Sequence, residues 1–288
     1  MPTSPDVVCL FDDRTNSATY VVSDPETAKA VVIDPVLDFD PIAGKTWTES
    51  AQRVVDHVRE NGLAVDWLLE THVHADHLSA AQWLSGELGG ARAIGAGVTQ
   101  VQKTFGELFN AREMTPDGSQ FDRLFGEGDT FAIGNIEARV IATPGHTPAC
   151  VTYVIGDACF VGDTMFMPDS GTARCDFPGG DARQLYASLT KILALPGDMR
   201  LFVCHDYGAG GTRDFEWETT VATQRADNIH VGGGALEHDY VQMRTDRDAT
   251  LSLPRLIIPA VQINMRAGAF PPAEENGTSY LKVPLNVF

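Results

Sequence analysis

The stretch Thr71-His72-Val73-His74-Ala75-Asp76-His77-Leu78 places four groups able to hold a metal, His72, His74, Asp76 and His77, within six residues. It follows directly on Val65–Leu69, an apolar run that reads as a buried strand. A helix would scatter side chains at this spacing around its axis, and a strand would split them between two faces. A loop at a strand end can instead turn all four heads toward one point before the amphipathic helix of Ala81, Leu84 and Leu88 begins. The competing reading is a polar turn of solvated histidines, and the density of donors argues against it.

The same arrangement recurs along the chain. Ile136–Ala142 reads as the second strand of a hairpin turned at Gly134-Asn135, and it runs into Thr143-Pro144-Gly145-His146-Thr147-Pro148. Cys159–Val161 ends at Gly162-Asp163-Thr164, and Leu201–Val203 ends at Cys204-His205-Asp206-Tyr207. Binding residues concentrate on loops that a rigid sheet positions. Together these strand ends offer five His and two Asp, enough for a site of one or two metals. His57, His230 and His238 lie apart from this pattern and read as solvated.

The rest of the chain supplies the frame. VVCLF, TYVVS and AVVID within residues 7–34 are expected as antiparallel strands, the third closed by Asp34-Pro35. Thr46 and Glu49 have capping-box spacing ahead of a helix with the stripe Ala51, Val54, Val55 and Val58. Further helices are expected near Val101–Phe109, from Asp181 with Leu185, Leu189 and Ile192 inward, and around Thr219–Asn228. Gly232-Gly233-Gly234 marks a flexible point. Residues 1–234 are therefore read as one catalytic domain. Residues 235–288, a helix followed by a Pro-containing tail, are read as an arm packed on that domain or on a partner subunit, which allows a homodimer.

Composition narrows the function. A formal net charge of −18 with scattered Lys and Arg disfavours nucleic-acid and anionic-lipid partners. No apolar run approaches a membrane span, and MPTSPDVVCLFDD lacks the basic and apolar regions of an export signal, so a cytoplasmic protein is expected. Five cysteines without a CxxC pair fit neither a zinc ribbon nor a disulfide framework.

HxHxDH, TPGHT, GDT and the late CHDY, in this order over residues 7 to about 230, resemble the metallo-β-lactamase superfamily. The resemblance implies an α/β fold, a four-layer αββα sandwich with the metal at the edge between its sheets, here carrying a C-terminal extension. Arg174-Cys175-Asp176-Phe177 and His205-Asp206-Tyr207 resemble the Arg-x-Asp-Phe and His-Asp-Tyr of its glutathione persulfide dioxygenase branch. That likeness implies one Fe(II) per chain on His72, His146 and Asp163, with glutathione persulfide held by Arg174 and Tyr207 and oxidised by O2 to sulfite and glutathione. Two imidazoles and a carboxylate on one face of Fe(II) are independently sensible for a non-haem oxygenase. His74, Asp76, His77 and His205 are then catalytic supports that orient ligands and water. The alternative is a glyoxalase II-like hydrolase of glutathione thioesters with two Zn, for which every ligand is present. A non-catalytic metal-binding protein of the same fold ranks last.

Overall fold

A computed structural model describes residues 4–287. The first sheet has the order β1 (Asp6–Asp12), β2 (Ser17–Ser23), β3 (Lys29–Ile33), β6 (Ala64–Leu69), β8 (Ala91–Gly95) and β9 (Arg123–Phe125). Its first three strands pair antiparallel, as the short polar turns between them predict. From β3 onward the pairing is parallel. Parallel neighbours need crossovers, and α1 (Glu49–Glu60), α2 (Ala81–Leu88) and α3 (Val98–Leu108) supply them. A small sheet of β4 (Val36–Asp40), β5 (Lys45–Trp47) and β7 (Leu78–Ser79) lies beside it.

The second sheet begins with the expected hairpin, β10 (Thr130–Ile133) and β11 (Ile136–Ala142), and continues through β12 (Val151–Ile155) and β13 (Ala158–Phe160). After α4 (Ala182–Leu193), β14 (Arg200–Phe202) pairs parallel to β13, and β15 (Glu218–Thr220) closes the far edge. The inner faces of the two sheets share one core, with Tyr20, Ile33 and Leu69 meeting Val140, Tyr153, Phe160 and Phe202. Tyr20 lies edge-on to Phe160 and Phe202, with ring centroids 5.2 and 5.6 Å away. Buried hydroxyls need acceptors; Tyr20 donates to the Val203 carbonyl and Tyr153 to the Glu70 carbonyl at 3.0 Å. Both bonds cross between the sheets.

Helices cover the outer faces. The α1 stripe Ala51, Val54, Val55 and Val58 packs with α2 on the first sheet, and Leu185, Leu189 and Ile192 of α4 pack on the second. The result is the expected four-layer sandwich. No helix of the described residues is long and apolar enough to cross a membrane.

Several local expectations give way to tertiary structure. Thr46 lies in β5, so it cannot cap α1; the cap position is Thr48, and Asp38 of β4 accepts the Ser50 N–H at 2.8 Å instead. The helix expected over Thr219–Asn228 loses its start to β15, because the open edge of β14 recruits residues 218–220; α6 is Val221–Asp227, capped by Thr220. After the single turn α5 (Gly208–Gly211) and α6, the C-terminal part holds two helices, α7 (Glu237–Asp248) and α8 (Ile257–Asn264). Pro259 is tolerated in the first turn of α8, where no N–H is required. His230 is not simply solvated: its Nδ1 accepts the Thr172 N–H at 2.9 Å and so holds the 171–175 loop.

Helix α8 is part of the core. Ala260 and Ile263 join the α1–α2 cluster, while Ile257, Val261 and Met265 join the cluster around α3. Truncation before residue 235 is therefore expected to give an insoluble chain, and Ile263→Ala to lose about 2–5 kcal/mol in urea denaturation. A soluble truncation together with an unshifted Ile263→Ala midpoint would show that α8 is dispensable.

His230 carries a second expectation. Partial burial, then the nearby Arg244 and Arg247, lower its pKa from 6.5 to about 4. The unfolded chain thus binds this proton at higher pH than the folded one. Stability from the contact is complete above about pH 6.5 and is lost as the pH falls toward 4. His230→Gln is expected to flatten that part of the stability curve; a slope identical to the parent's would remove the assignment.

Candidate metal centre

Asp34 ends β3 in the left-handed region, φ 51°, and is buried. Its carboxylate accepts the Thr71 N–H at 2.7 Å, the Thr71 hydroxyl at 2.8 Å and His74 Nε2–H at 3.0 Å. The chain leaving β6 is thereby fixed at its second residue. Because the Thr71 hydroxyl hydrogen goes to Asp34, His72 Nδ1–H donates to Thr71 Oγ1 at 3.0 Å, which turns Nε2 inward. Glu70 lies 3.3 Å from His74 Nε2 and accepts from the Ser79 hydroxyl. His77 Nδ1 meets the Ser17 hydroxyl at 3.3 Å and Asp76 at 3.5 Å.

The second sheet brings the other donors. Gly145, at φ +140°, allows the TPGHT loop to touch α4; a Cβ there would fall 2.3 Å from the Leu185 Cα. His146 Nδ1–H donates to the Arg174 carbonyl at 2.6 Å. Gly162, at φ +52°, lets the GDT turn press on Thr71, where a Cβ would meet Oγ1 at 2.5 Å. Asp163 is thus set beside His72. Beyond β14, His205 Nδ1–H donates to the Asn16 carbonyl at 3.1 Å, and Ala18 N–H bonds the Cys204 carbonyl across the sheets at 2.8 Å.

All seven candidate ligands therefore converge, in two groups joined by Asp163. His72 Nε2 and His146 Nε2 lie 3.8 and 3.7 Å from Asp163 Oδ2. His205 Nε2 lies 3.2 Å from both Asp163 Oδ1 and Asp76 Oδ2, in a group with His74 and His77. The outward nitrogen of each imidazole is engaged, while His72 Nε2, His74 Nδ1, His77 Nε2, His205 Nε2 and Asp163 Oδ1 are buried without a hydrogen-bond partner. Orphaned donors of this kind are costly unless something binds them, and their chemistry fits a cation. Burial, then the neighbouring His74 and His146, hold the His72 pKa well below the ordinary range, so its lone pair is free. Burial opposes protonation of His74 as well, but Asp34 and its hydrogen bond outweigh it and raise that pKa well above 6.5. A cation at Nδ1 would displace that proton while Nε2–H stays on Asp34, the usual carboxylate–histidine support.

A cavity of about 440 Å³ opens above these donors, and Arg174, Phe177, Tyr207 and Phe166 line it. The guanidinium of Arg174 is already shared: Nε and Nη2 lie 2.6 Å from Asp176, and Nη1 donates to the Ser252 carbonyl at 2.7 Å. Tyr207 is 48% exposed and stacks beside His205 at 6.3 Å, and its hydroxyl has no hydrogen bond among the described residues. Cys175 is a buried thiol, pushed up to about 12 by burial and then by Asp248.

Three supports escape a reading of motifs. Asp34 and Glu70 look in sequence like turn acids, and only burial after an apolar strand hints otherwise. Asn264, at the end of α8, donates to the carbonyls of His74 and His77 at 2.9 and 2.8 Å and accepts the Ser79 N–H at 2.8 Å. Nothing near Asn264 in the sequence signals this contact.

With this geometry in hand, similarity to known proteins is informative. A model of the metallo-beta-lactamase superfamily matches residues 12–205. A beta-lactamase hydrolase-like protein of Agrobacterium fabrum is 54% identical over 283 residues, 98% of this chain; the chain spans 65% of that relative's length. Glyoxylase B2 of Dictyostelium discoideum is 49% identical, with 92% of each chain covered. The mitochondrial persulfide dioxygenase ETHE1 of Mus musculus is 30% identical over 91% of this chain and 89% of its own. The crystal structure of ETHE1 from Myxococcus xanthus superposes with a TM-score of 0.73 at 29% identity, over 92% of this chain and all of that one. Fold, ligand order and relatives agree, and the chain belongs to the metallo-β-lactamase superfamily, with persulfide dioxygenases among its relatives.

Proposed function

We propose that the chain is a persulfide dioxygenase with Fe(II) on His72, His146 and Asp163. The observation that carries this reading is a two-His, one-carboxylate set opening on a cavity that Arg174 and Tyr207 line, in a chain resembling persulfide dioxygenases over nearly its whole length. Glutathione persulfide, O2 and water would give glutathione, sulfite and two protons, with four electrons passing from sulfur to O2. Iron bound at these residues would supply the O2 and redox chemistry that side chains lack.

The protein's own residues do the rest. The Arg174 carbonyl fixes the His146 tautomer, and Asp34, through Thr71, fixes that of His72. Phe166 and Phe177 give the cavity apolar walls that limit water. The Tyr207 hydroxyl, on the cavity wall, would hydrogen-bond the substrate peptide, and Arg174 would pair with a glutathione carboxylate. His205, its Nδ1 engaged by the Asn16 carbonyl, keeps Nε2 turned between Asp76 and Asp163, 3.2 Å from each.

A second reading has its own support. Asp163 directs one oxygen to each donor group, as a carboxylate shared by two metals does, and relatives at 52 and 54% identity carry metallo-hydrolase and hydrolase-like names. Under that reading the site would hydrolyse a glutathione thioester. Metal analysis of anaerobically purified protein, with oxygen-electrode and thioesterase assays, separates the two. One iron per chain and persulfide-dependent O2 uptake are expected; two metals per chain with thioester hydrolysis and no O2 uptake would replace the proposal. His146→Ala is expected to lose most of its metal and at least about a hundredfold in activity while remaining folded by circular dichroism. Retention of metal and turnover in that variant would refute the ligand set.

A further inference from the structure

The charges of the cavity are unevenly balanced. Asp169 on its wall is matched by Arg213 at 2.7 Å, Arg174 by Asp176 at 2.6 Å, and Arg244 by Asp248 at 2.9 Å. At the floor Asp76 and Asp163 face the imidazole donors, and at one point on the wall a basic group stands without an acidic partner. That point is Arg247, which lines the cavity and makes no ion pair among the described residues.

Arg247 is an exposed side chain, but its backbone is held firmly. One turn before it on α7, buried Arg244 donates through Nη1 to the Thr172 carbonyl at 3.1 Å. The next residue, buried Asp248, accepts the Cys175 N–H at 2.9 Å. These bonds lock α7 to the loop whose Arg174 carbonyl holds His146. The helix carrying Arg247 is thus tied to the metal donors through a short chain of buried hydrogen bonds. An arginine matches a carboxylate in a two-pronged geometry and keeps its charge at any working pH.

We propose that Arg247 binds a carboxylate of the thiol carrier, so that the C-terminal arm, and not the superfamily core alone, selects an acidic small-molecule thiol. The proposal rests on the persulfide reading for its sulfur end and is independent of it for the anchor. A cavity of this size lies within the range of small-molecule sites and suits a tripeptide thiol such as glutathione. With reactive sulfur at the floor and carboxylate at the wall, the carrier is held at both ends.

Titration calorimetry of the metal-loaded protein with glutathione tests the anchor without turnover. Arg247→Ala is expected to raise Kd about ten- to a hundredfold, and Arg247→Lys to recover part of the loss. Glutathione diethyl ester is expected to bind the parent weakly and to be indifferent to Arg247→Ala. Equal Kd values for glutathione in the parent and Arg247→Ala, or no glutathione binding by the parent, would overturn the proposal. Oxygen uptake on the same samples keeps the two readings apart. Calorimetric dependence on Arg247 without persulfide-driven O2 uptake would uphold the anchor and remove the dioxygenase, whereas uptake with an unchanged Kd would do the reverse.

Discussion

Asp34 is a carboxylate without access to solvent, and three donors from one loop satisfy it: the Thr71 amide, the Thr71 hydroxyl and His74 Nε2–H. Burial alone would raise its pKa, but His74 and the Thr71 donors outweigh burial and keep it below the ordinary range. An ionised group in this position is tolerated only while every partner stays in place, so the constraint runs in both directions. The acid fixes the loop, and the loop keeps the acid charged. The left-handed backbone of Asp34 is local strain held by that surrounding network. From it follow the tautomers of His72 and His74, and so the direction in which two imidazoles present their lone pairs.

The second constraint is the register between the sheets. Four donors leave the first sheet and three leave the second, so the centre exists only if the strand ends stay within a few ångströms of one another. Tyr20 and Tyr153 span the gap with hydrogen bonds to Val203 and Glu70, each adjacent or nearly so to a ligand loop. The Ala18–Cys204 backbone bond joins the sheets again beside His205. Glycines at 145 and 162 set the remaining approach, since a side chain at either would collide with Leu185 or Thr71. The large aromatic core and the metal donors are parts of one packing problem.

What was legible in the sequence was whatever is local. Apolar runs mark the strands, the α1 stripe of Ala51, Val54, Val55 and Val58 is the buried face of that helix, and the Gly134-Asn135 hairpin has the predicted turn. The histidine loop was legible because four donors crowd six residues. Contacts between distant segments were not. Thr46 and Glu49 satisfy a capping pattern that the β4–β5 pairing overrides, and the two- and three-residue strands β7, β9 and β15 carry too few side chains to show a period. Asn264 lies 190 positions from His74, and its role is to accept and donate to main-chain groups, which leaves no imprint on the residues it serves.

The electrostatics of the whole chain sharpen the problem of binding an anion. A net charge of −18 repels a glutathione-like ligand at long range, although ionic strength near that of cells confines this repulsion to roughly a Debye length of 8 Å. Attraction must then arise inside the cavity. Of the wall cations, Arg174 and Arg244 each already share an acid within hydrogen-bonding distance. A metal cation at the floor would neutralise part of the acidity of Asp76 and Asp163. A cation held there would favour an anionic ligand by charge as well as by ligation. The superfamily donor set supplies the floor, and residues outside the matched 12–205 span supply part of the wall. The donor-bearing sandwich and the C-terminal helix α7 thus meet in one cavity.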